Sequence, residues 1–387
     1  MNDGRVDGSG ADGRPLDVAV VGLGFGADFV PLYADHPHVG RVGLVDSSPE
    51  RLAAVGDRYG ITDRYTRLDD VLADDRWDAV HILAPVAFHA EYSLAVLRAG
   101  KHCACAVPMA TELDDLRAIV AAQRESGKNY MMMETSAYGR EYLLAEEMYR
   151  AGELGALTLY RGYHIQNLDG YPDYWQGYPP MKYITHALSP LLALTGSTVA
   201  DVTALGSARM SEERTAHFGN PFPTEVGLFR LRDSDVVADI TMSFFQIARS
   251  YVEGFSVYGD QRSLEWSGVP DEPMRMFELL PLGPQGRGRS ARETELEPPD
   301  FASRLPEALA RYVRKYTLTP ADGGPPVTKV AGHGGSHPYL VHEFVSSIVE
   351  RRAPAIDAAT SAAWTAPGIC AHESALRDGE RVPVPTF

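Results

Sequence analysis

Apolar residues follow one rhythm in the first third of the chain and another in the remainder. Short unbroken apolar runs recur at Val18–Val21, Arg41–Val45, Ala79–Ala84, His102–Val107 and Asn129–Glu134. Runs of that length without alternation predict strands buried on both faces. Amphipathic stretches separate them: Pro49–Tyr59, a short segment after Tyr65–Leu72, a helix opening at His89, and Glu112–Gly127. Strand–helix alternation of this kind predicts a doubly wound parallel sheet. From Leu157 onward the strand-like segments are 157–165, 199–210, 225–231, 236–245 and 255–258, with Arg232–Asp235 and Gly259-Asp260 as turn signals. Consecutive strands joined by tight turns are antiparallel, so the second part is expected to be an α+β domain with a large open, mainly antiparallel sheet. Two final helices, Pro338–Glu350 and Thr360–Arg377, close the chain.

The first run empties into a glycine loop, Gly22-Leu23-Gly24-Phe25-Gly26-Ala27. Gly22 permits the tight turn, Gly24 lets backbone approach a pyrophosphate, and the third position, Ala27, needs only a small side chain for helix-on-strand packing. The second strand ends in Asp46, 20 residues beyond Gly26 (46 − 26). A carboxylate there accepts hydrogen bonds from a ribose 2′-OH and repels a 2′-phosphate, which selects NAD over NADP. Phe25, Gly26, Ser47, Ala84, Pro85, His89, Val107 and Pro108 are the further cofactor candidates, because they lie in the glycine loop or just after the strand ends.

At 387 residues the chain is longer than one core usually organises. The expected division is a disordered tail over 1–14, rich in glycine and aspartate, a Rossmann NAD-binding domain over 15–135, and a substrate-binding and oligomerisation domain over 136–387. A formal net charge of −16 argues against nucleic acid or an anionic membrane as partner. No stretch has the length of a membrane span. Three cysteines, Cys103, Cys105 and Cys370, make no disulfide framework, and reduced thiols in a cytoplasmic protein are expected. Two Gly-, Pro- and Arg-rich stretches, Pro281–Pro299 and Thr317–Gly335, are too long for connectors and are candidate lids or partner-facing arms.

Ala99-Gly100-Lys101-His102, followed after five residues by Pro108-Met109-Ala110, resembles the Gfo/Idh/MocA oxidoreductases. In most of that family a Glu-Lys pair precedes the proline and its lysine relays a proton beside the nicotinamide; this chain has Ala106 and Val107 there. Further motifs are similar to the family's NAD-dependent glycosidase branch: Met133-Glu134 with Tyr138 and Arg140, Gly162-Tyr163-His164, Tyr183 to Pro190, and Gly332-His333-Gly334-Gly335. The resemblance implies substrate contacts at Tyr138, Arg140 and His333, and one sheet face over the nicotinamide with the other paired in a homodimer or homotetramer. A broad exposed apolar face would by itself predict association.

The family's Asp-x-x-x-His signature corresponds here to Lys182-Tyr183-Ile184-Thr185-His186. Residues four apart on a helix share a face, so Lys182 and His186 could enter one pocket, where a lysine with lowered pKa would take over part of the work missing at Val107. An imidazole at His186 titrates near working pH and can take a hydroxyl proton while hydride leaves the same carbon. Tyr163 and His164 are adjacent on a strand, so one of them faces this pocket. Tyr174 and Trp175 offer aromatic faces suited to the C–H face of a sugar. His333, His337 and His342 are spaced by four and five across a glycine loop and a helix start, with no acid or cysteine cluster beside them, so no metal is expected.

These features lead to an NAD-dependent oxidoreductase transferring hydride between nicotinamide and a ring hydroxyl or ketone of a sugar, glycoside or cyclitol. The alternative is a glycoside hydrolase or lyase that oxidises C3 transiently, eliminates and re-reduces. A third reading is an NAD(H)-binding regulator without turnover.

Overall fold

The computed structural model describes residues 14–269, 272–283, 288–314, 316–318, 327–329 and 332–387. The expected tail at 1–14 lies almost wholly outside the described residues, as does most of 319–331.

The apolar runs of the first part become β1 (Leu16–Val21), β2 (Val39–Val45), β3 (Arg64–Tyr65), β4 (Ala79–Ile82), β5 (His102–Cys105) and β6 (Tyr130–Met132). They form one parallel sheet in the order β3-β2-β1-β4-β5-β6, the order of dinucleotide-binding doubly wound folds. Val18, Ala19, Val20, Val80 and Ile82 are fully buried, which explains why these strands do not alternate. The strand order reverses between β1 and β4, and in such sheets ligands bind outside the carboxyl ends of the strands at that reversal. Helices Pro49–Tyr59, His89–Arg98 and Leu113–Ser126 supply the crossovers. Each of these helices has its amphipathic signature, and Ser48 caps the first through Arg51 N–H at 3.2 Å.

The second sheet has nine strands: β7 (Leu157–Gln166), β8 (Val199–Ser207), β9 (Thr224–Leu231), β10 (Val237–Ser243), β11 (Tyr251–Gly259), β12 (Arg262–Glu265), β13 (Met274–Leu279), β14 (Ala291–Leu296) and, after a two-stranded ribbon of β15 (Tyr316–Leu318) and β16 (Val327–Lys329), β17 (Val382–Pro383). Their order is β14-β13-β12-β11-β7-β10-β9-β8-β17, antiparallel throughout except for the β7–β10 pair. The mixed α/β architecture expected from the patterning is therefore the one observed.

The stretch 281–299, expected to be a lid or arm, contains an edge strand instead. β14 reads Ala-Arg-Glu-Thr-Glu-Leu and carries no apolar alternation because charge is what an edge strand uses against misassociation. Its register is held by cross-strand charge pairs, Arg292 with Glu278 at 3.1 Å and Arg275 with Glu293.

Close packing divides the chain into two units, 1–138 with 300–362, and 139–299 with 363–387. Residues 300–362 were expected in the second domain, yet they pack on the first. Met132 N–H bonds Ile356 O at 3.2 Å, Asn129 Nδ2 bonds Ser347 Oγ at 2.9 Å, and His36 meets His342 at 3.1 Å. The apolar face of helix His337–Val349 supplies a contact that local sequence does not reveal. Among the described residues no helix is long and apolar enough to cross a membrane. All three cysteines are buried and free.

Candidate functional site

In the first unit the glycine loop is shaped by its neighbours. Gly22 has φ +88°, and a Cβ on it would lie 2.7 Å from the Leu83 carbonyl and the Ala84 nitrogen, so no side chain fits. A Cβ on Gly24 would meet nothing, leaving its backbone open to approach. The close helix-to-strand packing falls on Gly26, whose Cβ would meet Leu83 at 3.0 Å and Val20 at 3.3 Å, rather than on Ala27. The helix expected after the loop is broken into the turns Leu23–Gly26 and Val30–Ala34.

Asp46 is 6% exposed at the end of β2. Its Oδ2 accepts from Leu23 N–H at 2.8 Å and its Oδ1 from Ser48 N–H at 2.9 Å, with the Arg51 guanidinium 3.1 Å away. Sequence reasoning missed Arg51, whose only signal was its place five residues after the acid. A glycine loop with open backbone at Gly24 beside a backbone-anchored carboxylate fits the pyrophosphate and adenosine ribose of NAD. Ser47 is exposed beside Asp46, and Phe25 is exposed on the loop, its ring edge-on to His333 at 5.5 Å. His333 thus belongs to the first unit and the cofactor loop.

His89, a cofactor candidate from its place at a helix start, is turned into the protein. It is 1% exposed, with Nδ1 2.7 Å from Pro108 O and Nε2 2.9 Å from Ala84 O. Both carbonyls accept, so both ring nitrogens donate and the ring is an imidazolium. Burial opposes that charge, but Cys105 and the two carbonyls outweigh it and lift the pKa to about 9. The ring ties the segment after β4, with Ala84 and Pro85, to that after β5, where Val107 is buried beside Pro108.

In the second unit three elements converge. Tyr160, Gly162 and His164 of β7 share one face of the sheet, and helix Thr185–Thr195 lies on it. Tyr160 OH donates to Ala187 O at 2.8 Å, and a Cβ on Gly162 would lie 2.1 Å from that same oxygen. Glycine at 162 therefore lets the helix approach closely, which sets His186 over His164 with ring centroids 5.3 Å apart. Glu253 of β11 is directly opposite His164 in the antiparallel register, and its Oε2 is 3.9 Å from His186 Nδ1. His164, His186 and Glu253 each offer one ligand atom, all within 4.8 Å of one another.

Tyr163 points to the other face, where its hydroxyl donates to Trp266 O at 3.2 Å, so only His164 of that pair joins His186. Gln166 Oε1 lies 3.1 Å from His164 Nε2 while its amide donates to Tyr171 OH at 2.9 Å, which makes Nε2 the protonated nitrogen of His164. Tyr183, Tyr251 and Phe244 ring the imidazole of His164 at 5.3 to 5.9 Å. Trp175 stacks edge-on to Tyr183 at 5.4 Å, whereas Tyr174 is 41% exposed beside it. Lys182 is half-buried in the 3₁₀ turn Pro180–Tyr183, which precedes rather than continues the His186 helix. That turn is anchored by Glu225, whose Oε2 accepts from Met181 N–H at 2.8 Å and whose Oε1 meets His372 Nδ1 at 2.7 Å. Arg140 is buried at the start of helix Arg140–Arg150, and Tyr138 closes the first unit.

Glu253 and Glu141 are the residues sequence reasoning missed. Burial, together with the charges of Glu253 and Glu297, outweighs the Glu141 backbone hydrogen bond and Arg140 and raises the Glu141 carboxyl to about 7. No motif marks either acid; only the β7–β11 register and the fold around Arg140 place them.

A parallel dinucleotide-type sheet, a glycine-rich loop and an anchored strand-end acid define a dinucleotide-binding domain. Residues 16–134 match the profile of the oxidoreductase family with NAD-binding Rossmann fold, so this region belongs to the Gfo/Idh/MocA family, as its motifs implied. A glycosyl hydrolase family 109 protein of Streptomyces niveus is 24% identical over 96% of this chain and 77% of its own length. The 1,5-anhydro-D-fructose reductase of Ensifer adhaerens is 38% identical over 22% of this chain and 26% of its own. Among solved structures, a levoglucosan dehydrogenase in complex with NADH and levoglucosan shares the fold with a TM-score of 0.74 at 19% identity, covering 96% of this chain and all of its own.

Proposed function

We propose that this chain catalyses NAD-dependent hydride transfer at a ring hydroxyl or ketone of a sugar, glycoside or cyclitol, with His186 as the acid–base group. The observation that carries this reading is the buried His186 imidazole, held over His164 with its Nδ1 facing the Glu253 carboxylate at 3.9 Å. When bound, NAD supplies the hydride acceptor and donor. The chain's own part is proton transfer and orientation. His186 takes the hydroxyl proton, and Glu253 stabilises the resulting imidazolium; such a positioned acid–base group contributes about 10²–10⁴-fold. Trp175 and Tyr251 present aromatic faces to the C–H face of a ring, while Tyr174, Lys182 and Arg140 supply polar contacts. Gly22, Gly24, Gly26 and Asp46 hold the dinucleotide, and His89 fixes the two segments after β4 and β5.

A redox-neutral glycosidase is the second reading, favoured by Val107 at the position of the family's relay lysine. In that cycle transient oxidation at C3 acidifies the neighbouring C–H, the aglycone is eliminated, water adds and the ketone is reduced back. A relative that matches over nearly the whole chain carries a glycosyl hydrolase name. Incubating the protein with NAD and a panel of sugars, cyclitols and p-nitrophenyl glycosides separates the readings. Net NADH supports the dehydrogenase, aglycone release without net NADH supports the cycle, and dinucleotide binding without turnover of any compound supports a regulator.

We further infer a cytoplasmic homo-oligomer. Leu205, Val226 and Leu228 lie on neighbouring strands of the second sheet and are 39–54% exposed, an apolar stripe suited to a second copy. A monomeric mass by light scattering would count against it.

A further inference from the structure

The second unit contains two buried histidine–glutamate pairs, and they differ in one respect. His372 Nδ1 and Glu225 Oε1 are closed at 2.7 Å, and the other Glu225 oxygen accepts from Met181 N–H. His186 Nδ1 and Glu253 Oε2 stand 3.9 Å apart, too far for a hydrogen bond, and that buried Oε2 has no hydrogen-bond partner among the described residues. Leaving a buried carboxylate oxygen unsatisfied costs about 1–3 kcal/mol or more, so the gap calls for an occupant. A divalent cation bound at about 2.0–2.2 Å to each of two ligands separates them by roughly 3–4 Å.

The third donor is already oriented. Because Nε2 of His164 donates to Gln166 Oε1 at 3.1 Å, the lone pair of that ring is on Nδ1. A histidine ligand whose far nitrogen is held by a carbonyl is the usual outer support of a metal site. The ligand atoms of His164, His186 and Glu253 lie within 4.8 Å of one another, so shifts of about an ångström bring them onto a common centre. They come from a strand, a helix start and the neighbouring strand, and both imidazoles are buried. Glu141 lies near enough to Glu253 for the two carboxyl groups to interact.

We propose that His164, His186 and Glu253 form a binding site for one divalent transition-metal cation, with two imidazoles and a carboxylate as protein ligands and the remaining position open to a substrate oxygen. Two nitrogens and one carboxylate oxygen are the donor set of three-ligand Zn²⁺ sites and also suit Mn²⁺ or Fe²⁺. With a cation on its Nδ1, His186 would serve as a ligand and not as the proton acceptor of the hydride-transfer reading, and metal content is read without turnover.

The test uses the full chain, stripped with EDTA, dialysed against Zn²⁺ or Co²⁺ and analysed by plasma mass spectrometry. One metal per chain is expected, with Co²⁺ ligand-field bands of a low-coordinate site. Glu253→Gln is expected to weaken Zn²⁺ binding at least 100-fold and Gln166→Leu about 10-fold, while His217→Ala, exposed elsewhere in the same unit, leaves it unchanged. Retained NAD binding and an unchanged melting profile show that each variant folds. Substoichiometric metal, or affinity that survives Glu253→Gln in a folded protein, overturns the proposal. Sugar oxidation by metal-free protein that takes up no Zn²⁺ would reject the metal site and leave His186 as the proton acceptor. Zn²⁺ binding without turnover of any sugar would reject the hydride-transfer reading and leave the site intact.

Discussion

The two units differ in how they treat buried histidines. In the first unit, which also buries the Asp46 and Glu134 carboxyl groups, imidazoles are driven neutral by burial: His36 and His81 are lowered to about 3 and His102 to about 4, in each case mainly by desolvation. His89 is the exception, kept charged by two carbonyls. In the second unit carboxyls are enclosed with histidines, and Glu141 is raised to about 7. A scaffold that only cradles a dinucleotide needs dry packing and shaped backbone. A face that moves protons needs acids and bases held near neutrality.

The sharpest way to break this comparison is to remove chemistry from one unit alone. His186→Gln is expected to lower kcat by about 10²–10⁴ while leaving the Kd for NAD unchanged, as measured by steady-state kinetics and calorimetry. A parallel loss of NAD affinity would show that the units do not divide the work as described.

Acid and base should act on opposite units. A histidine whose folded pKa lies below 6.5 is protonated more readily in the unfolded chain, so its stabilisation is complete above pH 6.5 and lost as pH falls toward the folded value. With His36, His81, His102, His337 and His342 all lowered, the first unit should lose stability steeply as pH falls from roughly 6 to 4. Glu141 has the other sign: its folded pKa lies above 4.5, so the folded protein holds the extra proton and the second unit loses about 1 kcal/mol per pH unit as pH rises from 4.5 to about 7. Melts monitored across pH, with Glu141→Gln flattening only the upper window, check both.

The smallest effects come from the matched glycines. Gly22→Ala forces a positive φ on a residue with no room for Cβ and should weaken NAD binding by about 1–3 kcal/mol, read by titration. Gly162→Ala pushes the His186 helix off the sheet and should cost the second unit about 1–3 kcal/mol in denaturant melts, with NAD affinity unchanged.

Legibility followed the range of the contacts. The strand–loop–strand of 18–46, the parallel order and the glycine roles were readable because each depends on residues close in sequence. The exceptions in that region are instructive: Gly26, not Ala27, meets the strand, and Arg51 faces the acid. In the second unit the strands from β7 to β11 were visible, but β12, β13 and β14 were not; β14, a charged edge strand, looks like a loop. His186 was singled out from a motif. Glu253 was not, because nothing near it in sequence shows that it will pair opposite His164.

By itself the sequence determined the element types, the dinucleotide loop and the identity of the buried strands, since burial on both faces leaves no freedom in residue type. Tertiary structure alone decided which of Tyr163 and His164 joins His186, that residues 300–362 pack on the first unit, and that Glu253 comes opposite His164. The last of these depends on register between two residues 89 apart in sequence (253 − 164), set by the summed packing of the whole sheet rather than by local preference.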